Sequence, residues 1–76
     1  MSPAQENGAT EVAIVVNGAA LRSRAPSLAA LLGELGYGDV KVATAINGNF
    51  VPAAQRDQTP LRNDDQVEVV APRQGG

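Results

Sequence analysis

Two Asn-Gly pairs, Asn17-Gly18 and Asn47-Gly48, each stand directly behind an alternating apolar run, and nothing else in the chain constrains its fold as tightly. A two-residue type I′ turn needs positive φ at both central residues, and Asn followed by Gly supplies this at low steric cost. Residues 11–16 place Val12, Ile14 and Val16 on one face and are rich in β-branched side chains, so they read as a strand. The return strand, residues 19–24, has Leu21 as its one large apolar residue and reads as a short edge. The second pair repeats the pattern. Residues 41–46 put Val42, Thr44 and Ile46 on one face and Ala43 and Ala45 on the other, then turn into Asn49-Phe50-Val51. Pro52 ends that piece because it cannot donate to a ladder.

Between the hairpins lies one helix. Ser27 is placed to cap its first turn, and Leu28, Leu31, Leu32 and Leu35 fall at i, i+3, i+4 and i+7 on one continuous face. Gly36 stands where a left-handed residue ends a helix, and Gly38 prevents continuation. Gly33, inside the helix, costs about 1 kcal/mol relative to Ala; either another segment passes close to it or it is simply tolerated. Residues 53–65 read as polar and irregular, with Leu61 as a plug into the core and residues 63–65 as a turn with solvated charges. Residues 66–70 form the last strand, with Val67 and Val69 on one face and Glu68 and Val70 on the other.

A helix that follows a hairpin must pack back across the sheet. The expected product is an α+β roll, a mixed sheet of four to five strands curled around one helix. The sheet's second face then stays uncovered and carries Ala13, Val15, Ala43, Ala45, Phe50 and Val70. A contiguous apolar patch of that kind marks a partner-docking surface. The expected organisation is an N-terminal arm over residues 1–10, a folded unit over 11–71 and a tail over 72–76.

Composition removes several function classes. The 76 residues contain no Cys and no His, which excludes a thiol nucleophile, an imidazole base and a Cys/His zinc site. The net charge of -2 and the scattered arginines speak against a phosphate-backbone binder, and one Tyr and one Phe make a poor base-stacking platform. No stretch is apolar enough for a membrane span or a secretory leader, so a cytoplasmic protein is expected, monomeric when free. Gly36-Tyr37-Gly38 lacks the spacing and the following Lys of a phosphate loop.

What remains is the end of the chain, Pro72-Arg73-Gln74-Gly75-Gly76. A terminal diglycine offers a carboxylate without flanking side chains on a permissive backbone, which an enzyme can draw through a narrow slot. Extended, these residues reach about 17 Å at ~3.4 Å each, and Pro72 directs them away from the sheet. Gly76 is the expected reactive group. Gly75 and Arg73 are the expected tail-recognition residues, with Arg73 suited to an acidic rim or a nucleotide phosphate, or equally to a solvated charge that keeps the tail soluble.

The block Val42-Ala43-Thr44-Ala45-Ile46-Asn47-Gly48-Asn49-Phe50-Val51-Pro52, the helix Ser27-Leu28-Ala29-Ala30-Leu31-Leu32, the strand Asp65-Gln66-Val67-Glu68-Val69-Val70 and Gly75-Gly76 resemble the ThiS family, sulfur carriers of thiamine biosynthesis. The resemblance covers residues 11–76. It implies a ubiquitin-like β-grasp fold in which the first and last strands lie side by side and parallel. It also implies a protein co-substrate rather than an enzyme. An E1-like adenylyltransferase would activate Gly76, sulfur from a sulfurtransferase or cysteine desulfurase would convert it to a thiocarboxylate, and a thiazole synthase would take the sulfur. No cofactor would be bound by the chain; ATP and a sulfur donor would be used by the partners. Three other readings stay open: the small subunit of molybdopterin synthase, which also ends as a thiocarboxylate; a ubiquitin-type modifier, for which Lys41 is the single lysine; and a non-covalent β-grasp binding module.

Overall fold

The computed structural model describes residues 11–72. The arm expected at residues 1–10, and Arg73, Gln74, Gly75 and Gly76 of the tail, lie outside the described residues. Strands β1 (Val12–Val16) and β2 (Ala19–Ser23) are followed by helix α1 (Leu28–Glu34), strands β3 (Ala43–Ile46) and β4 (Asn49–Val51), a 3₁₀ helix (Ala53–Gln58) and strand β5 (Gln66–Val70). The sheet order is β2-β1-β5-β3-β4. β1 and β5 run parallel at the centre, and every other pairing is antiparallel. This is the mixed roll expected, with five strands; β2 lies on one edge as expected but is five residues long, as long as β1, and the short edge is the three-residue β4.

Both Asn-Gly pairs turn as their chemistry requires. Asn17 and Gly18 have φ of 50° and 86°, and Asn47 and Gly48 have φ of 53° and 84°, the double positive φ of a type I′ turn. α1 starts on Ser27, whose hydroxyl accepts from the Ala30 amide at 3.2 Å. The Thr59 carbonyl takes a second first-turn donor, the Leu28 amide, at 2.8 Å. At the other end Tyr37 N–H donates to Leu32 O and Gly36 N–H to Gly33 O, at 3.0 and 3.1 Å. With Gly36 at φ 89°, this is a Schellman closure.

Leu28, Leu31 and Leu32 are buried against Val12, Ile14, Val16, Val51, Val67 and Val69, while Leu35 packs at the margin. Leu61 is buried as the expected plug. Gly33 proves to be tolerated rather than required, since a Cβ built on it meets nothing within 4 Å. Gly33→Ala is therefore expected to stabilise the fold by about 0.5–1 kcal/mol, through restored helix propensity and a less flexible unfolded chain. Urea titration should show the midpoint rising with an unchanged slope.

Two further expectations need correction. Residues 53–58, expected to be irregular, form a 3₁₀ helix that buries none of its residues. No apolar period announces it, because it is held by a side chain reaching away from it. Arg56 donates from Nε to Thr44 Oγ1 at 3.0 Å and from its terminal nitrogen to the Val42 carbonyl at 2.6 Å. The turn before β5 was expected to carry two solvated charges. Asp64 is exposed at φ 73°, but Asp65 is buried. Its two carboxylate oxygens accept from the Arg62 amide at 2.8 Å and from Asn47 Nδ2 at 3.0 Å. Burying a carboxylate is costly unless hydrogen bonds replace those it made to water, and these two donors do so.

Candidate functional site: the open sheet face and the exit of the last strand

β5 sits at the centre of the sheet and leads directly to the tail, so whatever fixes β5 fixes where the tail begins. Its backbone pairs with β3 from Val67 to Val70, in the register Ile46↔Val67 to Ala43↔Val70. Toward β1 the strand pairing proper is short, Val15↔Gln66 and Val16↔Val67. Asparagine side chains lengthen it at both ends. Before β5, Asn63 Oδ1 accepts from the Ala13 amide at 2.8 Å, while the Asp64 amide donates to Ala13 O at 2.7 Å. Beyond β1, the Asn17 amide donates to Val67 O at 2.9 Å. The Asn17 carboxamide then takes both backbone groups of Val69, Oδ1 from its N–H at 2.9 Å and Nδ2 to its C=O at 3.1 Å.

A carboxamide carries one acceptor and a donor pair, much like a peptide group. Asn17 therefore continues the ladder where β1 has already turned away. Asn47 does the same for the start of β5 from the other side. Its backbone N–H donates to Gln66 O at 2.8 Å, and its Oδ1 accepts from Gln66 N at 2.9 Å. The two turn asparagines thus grip one strand from opposite edges, a role that reading them as turn formers alone misses.

The outward face places most of the expected docking residues together. Ala45 lies between Phe50 on β4 and Glu68 on β5, and Ala43 lies opposite Val70. Phe50 is 68% and Val70 62% exposed, large values for residues of that size. Val15, half-buried, stands apart from this group on the far side of β5, opposite Gln66. Between them the surface dips into a groove of about 400 Å³, lined by Val15, Asn17, Gly18, Gln66, Glu68 and Val70 among others. Ala71 and Pro72 are exposed at the end of this face. Arg73, Gly75 and Gly76, the other expected site residues, lie outside the described residues. Glu68, absent from the docking residues expected from sequence, stands in the middle of the face. Its alternation with Val67 and Val69 was the available signal.

A family model described as the ThiS family matches residues 19–76. The chain belongs to the ThiS family. The match begins at the first residue of β2 and so leaves β1 outside it, although β1 is an interior strand that pairs with the central β5. Among solved structures, the chain is similar to the crystal structure of a thiamine biosynthesis protein (ThiS) from Geobacter metallireducens. The two share 26% identity with a TM-score of 0.70, over 86% of this chain and all of that one. No curated protein matches the sequence. The five-stranded mixed sheet with the single α-helix of the described residues is the ubiquitin-like β-grasp of this ThiS structure, as the resemblance implied. Among the described residues no helix is long and apolar enough to cross a membrane, and no group of three His, Cys, Asp or Glu side chains could hold a metal.

Proposed function

We propose that this ThiS-family chain is a sulfur carrier of thiamine biosynthesis, acting as a protein co-substrate whose reactive group is the Gly76 carboxylate. The observation that carries this reading is the extent of the family match, which runs through β5 and the tail to residue 76. The geometry supports it as well, because the strand that leads to the tail is held from both sides by Asn17 and Asn47 and ends beside the open apolar face.

At neutral pH a terminal carboxylate, with a pKa of about 3.5, is ionised and resists nucleophiles. An E1-like adenylyltransferase removes that obstacle. The Gly76 carboxylate attacks the α-phosphate of ATP and pyrophosphate leaves. A persulfide supplied by a sulfurtransferase or cysteine desulfurase then attacks the acyl carbon and expels AMP, and a thiol cleaves the S–S bond of the acyl disulfide so formed, leaving as a disulfide with the donor's own sulfur. The resulting thiocarboxylate holds a nucleophilic sulfur for a thiazole synthase. Gly75 and Arg73 enter the enzyme's slot with Gly76, and the body of the carrier stays outside on its open face.

The test is an intact mass measurement after incubation with an E1-like enzyme, ATP and a sulfur source. The expected result is a gain equal to replacing one oxygen by sulfur, lost when Gly76 is deleted. An unchanged mass with every such enzyme overturns the reading. Presenting the charged carrier to thiazole synthase and to molybdopterin synthase separates the two thiocarboxylate pathways.

A further inference from the structure

We propose that Glu68 is the charge anchor of the open face, and that the groove beside it receives an arginine side chain from the adenylating enzyme. The inference rests on the carrier reading above and adds to it the chemistry of the surface that the enzyme must present.

The placement of Glu68 makes it unavoidable. It lies on the central strand with Ala45 directly across from it, Phe50 beyond Ala45, and Val70 two positions along the same face. Any partner that covers Phe50, Ala45 and Val70 also covers this carboxylate. The outward strand positions carry one other charge, Arg22, and it stands on the edge strand β2, paired with Glu11 at 3.5 Å. Among the described residues Glu68 thus has no cation of its own.

An unpaired carboxylate that is stripped of water opposes docking, whereas one that meets a cation fixes both affinity and register. The groove favours arginine over lysine. Val15 and Val70 flank it with apolar surface for a stem, and the Glu68 carboxylate and Gln66 supply polar lining at its wall. A planar, weakly hydrated guanidinium suits such a site and can engage a carboxylate with two hydrogen bonds. The same carboxylate repels phosphate-rich surfaces, which points to a protein partner.

The experiment uses the full chain, an E1-like adenylating enzyme and ATP–pyrophosphate exchange, with carrier concentration and ionic strength varied. Glu68→Gln keeps size and exposure and is expected to raise the KM for the carrier about tenfold with kcat unchanged, while weakening its dependence on salt. Glu68→Arg is expected to raise KM about a hundredfold. Thermal unfolding of both variants should match the wild type, because the side chain is exposed. Exchange by Glu68→Arg at the wild-type KM overturns the anchor and leaves the carrier reading standing. Absence of exchange with the wild-type chain overturns both.

Discussion

Replacing Asn17 and Asn47 together by glycine should destabilise the fold by about 3–5 kcal/mol, each single change contributing about 1–3 kcal/mol through lost hydrogen bonds. The sign of this result is diagnostic. If the two asparagines served only their turns, glycine would be neutral or better at both positions, because positive φ costs it nothing. The turns would survive the substitution; the grip on β5 would not. Asn17→Gly releases the N–H and C=O of Val69. Asn47→Gly releases the Gln66 amide and takes one donor from the buried Asp65 carboxylate. The second loss is the costlier, since it leaves a charged oxygen short of a partner away from water. Both act on one strand, so the double variant need not be the sum of the singles. Denaturant unfolding measures the totals, and amide exchange locates them. Faster exchange should appear at Val69 in one variant and at Gln66 in the other. A double glycine variant as stable as the wild type would show that the carboxamides are dispensable.

Those contacts also mark the limit of what the sequence discloses. Alternation and turn chemistry are local, so the strands, both Asn-Gly turns and the leucine face of α1 can be read within a few residues of each other. The parallel pairing of β1 with β5 came only with the family resemblance, since no local pattern distinguishes a parallel neighbour from an antiparallel one. Asn17 and Val69 lie 52 positions apart, and nothing near Asn17 signals that a strand will arrive beside it. The 3₁₀ helix was hidden for a related reason, because Arg56 stabilises it by bonding to β3 and to Val42 rather than within itself. Asp65 looked like one more turn carboxylate because its neighbours are polar, yet two donors from different segments make its burial possible. On the open face, alternation alone brought Phe50, Ala43, Ala45 and Val70 together. It also places Glu68 among them, a charge that a search for apolar residues does not single out.

Leu31→Ala should remove much of the fold's stability, whereas Phe50→Ala, which removes a larger side chain, should leave it nearly unchanged. Leu31 is fully buried beneath the sheet and meets the inner face of the strands that Asn17 and Asn47 hold together. Truncating such a residue removes its transfer free energy and leaves a cavity, a cost of about 3–5 kcal/mol. A folded unit of this size has about 3–9 kcal/mol in total at ~0.05–0.15 kcal/mol per residue. One leucine thus accounts for much of the margin, because a domain this small has no second core to share the load. Phe50 stands on an edge strand with 68% of its surface in water, so its removal changes stability by about 0.5 kcal/mol or less. On the proposed docking face its cost should appear instead as a raised KM in the adenylation assay, because Phe50 is the largest apolar side chain on that face. Circular dichroism melts and exchange kinetics on the two variants separate these roles. Wild-type loading by Phe50→Ala would remove the apolar face from the docking surface, and a stable Leu31→Ala variant would show that the core can collapse around the lost side chain.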